Sequence, residues 1–277
     1  MKVKGTKIER GTQKPAKRKI HDIRFNQPLS AVTIILIALL LHTNRATAQD
    51  EQSIADNFSV NLELKNMHLW HGFVVTPGAM IASSIEYVSA NEKFIAGLWG
   101  GASFNGNYKE FSYYSTYRLS NNFKLSLISH NNYSDYDEPN IFSYNKKTSP
   151  NFVDIVAEYT LSDDVPLTIY WSTILFGNGG DYEINEDGST TNSFSNYAEL
   201  RYTLFPHQDT KLTLFAGGAF SFATEKTFYS ENANVVNLGL TVSHDVTLLA
   251  KKFPVSGTAF WNPESKVGAL QLAISLF

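Results

Sequence analysis

Few residues of this chain could carry out chemistry. The histidines beyond the first 48 residues are His68, His71, His130, His207 and His244, and a hydrolytic centre needs one of them beside a nucleophile and an orienting carboxylate. His244 directly precedes Asp245. Neighbours on an extended strand point to opposite faces, so these two cannot form a base and its orienter. No Gly-rich phosphate loop, Gly-x-Ser-x-Gly run or His-Glu-x-x-His run occurs, and nothing in the chain asks for a cofactor. In the stretch 178–193, Glu183, Asn185, Asp187 and Gly188 match positions 1, 3, 5 and 6 of a calcium-binding loop, but position 12 is Phe194, not the bidentate Glu such a site requires. A solvated surface loop is the expectation there. The other candidates are charges spread along the chain, Glu63, Glu86, Glu110, Arg118, Asp154, Glu158, Glu199 and Arg201, whose meaning depends on the elements that carry them.

The elements are strands. After Gln49 no stretch sustains an apolar i, i+3, i+4, i+7 pattern, whereas segments of ten to thirteen residues with every second residue apolar recur. In 151–161, Val153, Ile155, Ala157, Tyr159 and Leu161 oppose Asp154 and Glu158; in 196–204, Ala198, Leu200, Tyr202 and Leu204 oppose Glu199 and Arg201. The pattern predicts twelve strands: 58–70, 78–90, 93–105, 108–119, 122–134, 151–162, 166–177, 194–205, 210–223, 233–245, 253–261 and 267–277. The longest connections, 135–150, 178–193 and 224–232, all join an odd strand to the next even one. The opposite connections are short apart from 246–252. An antiparallel transmembrane barrel sorts its loops in this way, and about ten residues suffice for a tilted strand to cross a bilayer. In hydrocarbon every backbone polar group needs a partner, which a sheet achieves only by closing. The expected fold is all-β, a single antiparallel transmembrane β-barrel over 49–277.

Charge and composition agree with this. The 277 residues contain no cysteine, which excludes disulfide scaffolds, thiol nucleophiles and Cys-anchored lipoproteins. Ten Lys/Arg and two Asp/Glu precede residue 46, so the formal −3 becomes −11 over the rest, the opposite of a nucleic-acid binder's footprint. The basic residues 2–24, the apolar run Ala31–Leu41 and the small-x-small site Ala46-Thr-Ala48 have the layout of a secretory signal peptide, with cleavage after Ala48. That run is too short for a transmembrane helix, which needs about 20 apolar residues. Trp70, Trp99, Trp171 and Trp261 suit aromatic girdles at two membrane rims. The expected location is the bacterial outer membrane. Its lipids and lipopolysaccharide would be the partners, together with the barrel-assembly machinery, and divalent ions could bridge the 178–193 loop to lipopolysaccharide. On the inward face, a ring of the carboxylates named above, with Lys65, Lys124, Arg118 and Arg201 among them, would make a narrow, mildly cation-selective channel for small hydrophilic solutes. The alternative is that the charges pair across strands, Glu199 with Arg118 for example, and fill a closed lumen.

Several segments resemble the TorF-type porin family of small Gram-negative outer-membrane barrels. They are His68-Leu-Trp-His-Gly-Phe73, placed at the end of the first strand, Phe94-Ile-Ala-Gly-Leu-Trp-Gly-Gly101, and Lys109-Glu-Phe-Ser-Tyr-Tyr-Ser-Thr-Tyr117. Phe253-Pro-Val-Ser-Gly257 and Asn262-Pro-Glu264 are similar to stretches of related barrels from Bacteroidetes-like bacteria. The family tends to carry Arg where this chain has His71. The resemblance implies an outer-membrane, porin-like protein and no particular substrate. The last strand, Leu270 to Phe277, ends on an aromatic, similar to the recognition signal of outer-membrane barrels. Phe277 has the opposite parity to Leu270, Leu272, Ile274 and Leu276, so either it leaves the register or the larger set faces inward. His130, Asn132 and Ser134 distantly resemble the Asn/His/Ser set of outer-membrane phospholipases, but that family's His-x-Ser-Asn-type run is absent, and no enzyme is expected.

Overall fold

The computed structural model describes residues 54–135, 140–146, 148–177, 180–207 and 209–277. The leader expected over 1–48 lies outside the described residues. Within the unit Gln52–Phe277, the strands in chain order are β1 (Phe58–Lys65), β2 (His68–Trp70), β3 (Phe73–Thr76), β4 (Met80–Val88), β5 (Phe94–Ser103), β6 (Lys109–Arg118), β7 (Phe123–His130), β8 (Phe152–Thr160), β9 (Leu167–Gly177), β10 (Tyr182–Ile184), β11 (Thr190–Asn192), β12 (Asn196–His207), β13 (Thr210–Phe220), β14 (Asn234–Leu248), β15 (Lys251–Asn262) and β16 (Val267–Ser275). Twelve of these close into one antiparallel barrel in the order β1-β16-β15-β14-β13-β12-β9-β8-β7-β6-β5-β4. The seam pairs Glu63 with Ser275 and Lys65 with Ala273. It is extended by Leu276 N–H donating to the Leu62 carbonyl at 2.8 Å and by Leu62 N–H donating to the Phe277 carbonyl at 3.2 Å. Closure leaves no sheet edge, which hydrocarbon requires.

The alternation sorts side chains by solvent. Around one half of the wall, Tyr202, Leu214, Leu240, Ala259 and Leu270 form a continuous row of cross-strand partners, and its large members are exposed. One residue along, Thr203, Thr213, Thr241, Thr258 and Gln271 form the next row, facing the interior. There Thr203 and Thr213 hydroxyls bond at 3.0 Å, and Thr241 and Thr258 at 2.9 Å. Thr116–Ser126 and Thr160–Thr168 repeat the device at 2.7 and 2.8 Å. Bulky hydrocarbon outside and hydrogen-bonded hydroxyls inside is the reverse of a soluble barrel. It is the arrangement of a barrel wall in lipid.

All twelve expected barrel strands are present; two details differ from the expectation, and an alternative left open at the C-terminus is resolved. The first strand ends at Lys65, and the chain then forms a hairpin, β2–β3, that is a two-stranded sheet of its own outside the barrel's strand order. The 246–252 connection shrinks to Leu249 and Ala250, both at positive φ (50° and 60°), because β14 and β15 run on to Leu248 and from Lys251. The rim of short turns therefore has no long exception. At the C-terminus, Leu270 and Leu272 stand on the exposed wall, and Phe277 falls beyond the end of β16, so it is the terminal residue that leaves the register.

Candidate functional site

The connection from β1 to β4 folds into the barrel instead of out into solvent. Asn66 starts the excursion by bonding β16: its N–H donates to the Leu272 carbonyl at 3.1 Å, and its Oδ1 accepts from Leu272 N–H at 2.8 Å. Gln271 Nε2 then donates to the Met67 carbonyl at 2.8 Å. The hairpin reaches wall after wall. His68 stacks on Trp99 of β5 at 5.6 Å, and Trp70 lies 5.4 Å from His130 of β7 and 6.0 Å from Phe152 of β8. His71 stacks on Tyr197 of β12 at 4.0 Å, and the Gly72 carbonyl accepts from Asn262 Nδ2 of β15 at 3.0 Å. A segment touching all these strands lies across the lumen. A second segment meets it from the 221–233 connection. Phe228 N–H donates to Ser195 Oγ at 2.7 Å, and buried Tyr229 places its ring 5.8 Å from Phe73 and its hydroxyl 3.3 Å from His71 Nδ1.

This layer divides the interior. On the side of the long connections lies a cavity of about 650 Å³ lined by His68, Trp70, Phe73, Glu110, His130 and Asn132 among others. On the side of the short turns lies one of about 360 Å³ whose lining includes Leu69, His71, Glu199, Arg201, Thr241 and Gln271. Trp70 lines both.

The charges expected inside are largely bonded to one another. Glu199 is buried and accepts from Arg201 Nε at 2.6 Å, from Asn237 Nδ2 at 2.8 Å and from the Tyr197 hydroxyl. Arg201 also meets Glu158 at 3.3 Å, and Glu158 meets Lys124 at 2.9 Å. These four form a ladder of alternating sign from β7 to β12, with Arg201 resting 4.6 Å over the Tyr170 ring. Glu110 accepts from the Tyr108 and Ser112 hydroxyls, each at 2.9 Å, and lies 3.8 Å from His130 Nδ1, whose Nε2 lies 3.4 Å from buried Asp154. Glu63 pairs with Lys65 at 2.8 Å, and Glu86 accepts from the Tyr114 hydroxyl at 2.6 Å. Arg118 sits at the short-turn rim beside Glu92 at 3.8 Å. The partner of Glu199 is thus its own strand neighbour two residues on, not Arg118.

Other expectations change with the hairpin. Trp171 and Trp261 are exposed on the wall, whereas Trp70 and Trp99 face inward and stack on histidines, so only two of the four fit a girdle. Ser134 donates its hydroxyl to Asn132 Oδ1 at 2.6 Å while His130 is held between two carboxylates, which leaves no nucleophile–base contact. The 178–193 connection carries the β10–β11 hairpin, and its Asn178 and Gly179 lie outside the described residues. Glu183 accepts from Lys226 N–H and Asp187 from Ser189 N–H, both at 2.9 Å. Buried Asp181 accepts from Ser195 N–H at 3.2 Å, and burial raises its carboxyl above the usual range. Among the described residues no cluster of His, Cys, Asp and Glu could hold a metal ion. Sequence reasoning misses the aromatic set Trp70, Phe73, Phe152 and Phe228. Its one visible trace is the run of His, Trp and Gly between two strand signals.

No family model matches the chain, and no curated protein does. Among solved structures the chain is similar to the NanC porin (TM-score 0.45, 6% identity, 78% of this chain and 98% of that one). It is also similar to a bacterial polysaccharide outer-membrane secretin (0.39, 5%, 80% and 97%) and to OprD of Pseudomonas aeruginosa (0.35, 12%, 79% and 66%). The closed strand pairing and apolar wall make this chain a transmembrane barrel in its own right.

Proposed function

We propose that the chain is an outer-membrane, porin-like barrel of the TorF type. In this reading it passes small hydrophilic solutes by diffusion, with the β2–β3 hairpin as its constriction. The observation that carries this is the pair of cavities, about 650 and 360 Å³ and lined by both polar and aromatic residues, stacked inside one apolar wall and parted by the hairpin layer. The solute path would run from the long-loop rim past His130 and Trp70 to Arg201 and Glu199. Glu63, Glu86, Glu110, Asp154, Glu158 and Glu199 outnumber Lys65, Lys124 and Arg201 along the lumen, which favours cations mildly. The leader 1–48 would deliver the chain for removal after Ala48. Outer-membrane lipids, lipopolysaccharide and the barrel-assembly machinery are the partners this location implies.

The anchoring of the hairpin favours a second reading, a sealed barrel. Asn262, Gln271 and Asn66 all tie it to the wall, each bond being worth about 1 kcal/mol. Planar-bilayer recording separates the two. The intact barrel should give small, weakly cation-selective steps, and replacing 67–77 by a short Gly/Ser linker should enlarge them several-fold. Silence from the intact barrel with steps from the shortened one would establish the sealed reading, and silence from both would remove transport altogether.

A further inference from the structure

We propose that the cavity on the long-loop side is a binding site for a neutral saccharide of one or two rings, seated with a C–H face on an aromatic floor and its hydroxyls toward a polar wall. The proposal deepens the solute-passage reading by naming the class of solute. The floor is continuous. Trp70 lies 6.3 Å from Phe73, 6.0 Å from Phe152 and 6.0 Å from Phe228 between ring centroids, and Phe152 lies 5.4 Å from Phe228. Rings this close touch one another. A cage for a quaternary ammonium needs rings standing apart around the cation, each within about 6 Å of it, and this set leaves no space between its members. It offers an apolar patch instead, with Trp70 and Phe73 nearly parallel (18°) and Phe228 standing edge-on to both.

The wall has the complementary chemistry. Asn107, Asn132, Ser134 and Asp135 line the same cavity; the Asn107 and Asn132 amides can donate to sugar hydroxyls and the Asp135 carboxylate can accept from them, while the Ser134 hydroxyl is taken by Asn132 Oδ1. Glu110 has its acceptor capacity partly used, because the Tyr108 and Ser112 hydroxyls donate to one oxygen each. Among the described residues no Lys or Arg lines the cavity, and its His130 is already held between Glu110 and Asp154, so an anionic sugar would meet carboxylates without a free counter-charge. A polar wall over an aromatic floor fits a molecule with one apolar and one hydroxylated face, and about 650 Å³ falls within the usual range of small-molecule sites.

The test is tryptophan fluorescence and titration calorimetry on the full-length barrel in detergent, with maltose, cellobiose, glucuronate and choline as probes. Folding of each variant is checked by heat-modifiable gel mobility. A neutral disaccharide should give a saturable signal that glucuronate and choline do not. Asp135→Ala and Asn107→Ala, both at exposed positions, should each weaken it about three- to tenfold, and Phe228→Leu by a similar factor. Absence of a saturable signal with both disaccharides would overturn the proposal. So would equal binding of choline or glucuronate, or unchanged affinity in all three variants. Binding is read without current, so the two readings fail separately. A barrel that binds maltose but carries no current loses transport and keeps the site, and one that conducts without binding loses only the saccharide.

Discussion

At Gly72 the chain approaches the far wall so closely that an added Cβ would stand 2.1 Å from the Val236 carbonyl oxygen, at a φ of +84° that glycine adopts freely. Gly72→Ala should therefore push the hairpin tip off β14 and break the Asn262 bond. The expected outcome is a barrel that still folds, loses about 1–3 kcal/mol in urea titration and gives larger conductance steps than the parent. Unchanged conductance and stability would show that the tip does not rest on this wall. Gly97 has a similar role within the sheet: Tyr114 crosses it to reach Glu86, and a Cβ there would lie 2.2 Å from the Tyr114 ring. A turn at His71-Gly72 is legible from residue type alone. That the turn meets Val236 is not, because the contact joins residues more than 160 positions apart.

Among the elements, the turn between β14 and β15 breaks a local preference. Leu249 and Ala250 occupy the left-handed conformations that two-residue hairpin turns normally fill with Asn-Gly, and Leu249 is almost fully exposed. Leu249→Asn with Ala250→Gly should raise stability by about 1 kcal/mol, seen as a higher urea midpoint; an unchanged or lower midpoint would mean that the rim holds Leu249 for another purpose. The same feature explains the misplaced boundary. Leu248-Leu249-Ala250-Lys251-Lys252 has no alternation, since beyond the hydrocarbon the two faces of a strand meet the same water. The β2–β3 hairpin is hidden for a related reason. Asn66-Met-His-Leu69 keeps a period of two and comes directly after a barrel strand, so period alone assigns it to the wall.

For the whole molecule, the governing property is which face meets lipid. Leu240 sits mid-wall in an exposed row with Leu214 and Leu270, while Thr241 faces the interior beside Thr213 and Thr258. Leu240→Arg should cost about 2–4 kcal/mol in folding into bilayers. Thr241→Lys, on the water-filled side, should leave the folded, heat-modifiable fraction close to the parent's. Equal losses at both positions would contradict the lipid contact of the wall.

The order of amino acids was enough to specify the twelve strands, their antiparallel succession and the sorting of long and short connections. These follow from a period of two and from turn chemistry, both local. It also placed the wall charges on their strands, since parity selects the face a residue takes. The inward turn of the connection after β1, the entry of Trp70 and Trp99 into the lumen and the bonding of the carboxylates to their neighbours emerge only in the folded barrel. Each of these depends on which distant side chains meet once the cylinder closes, and closure brings together residues whose separation along the chain carries no signal of their contact.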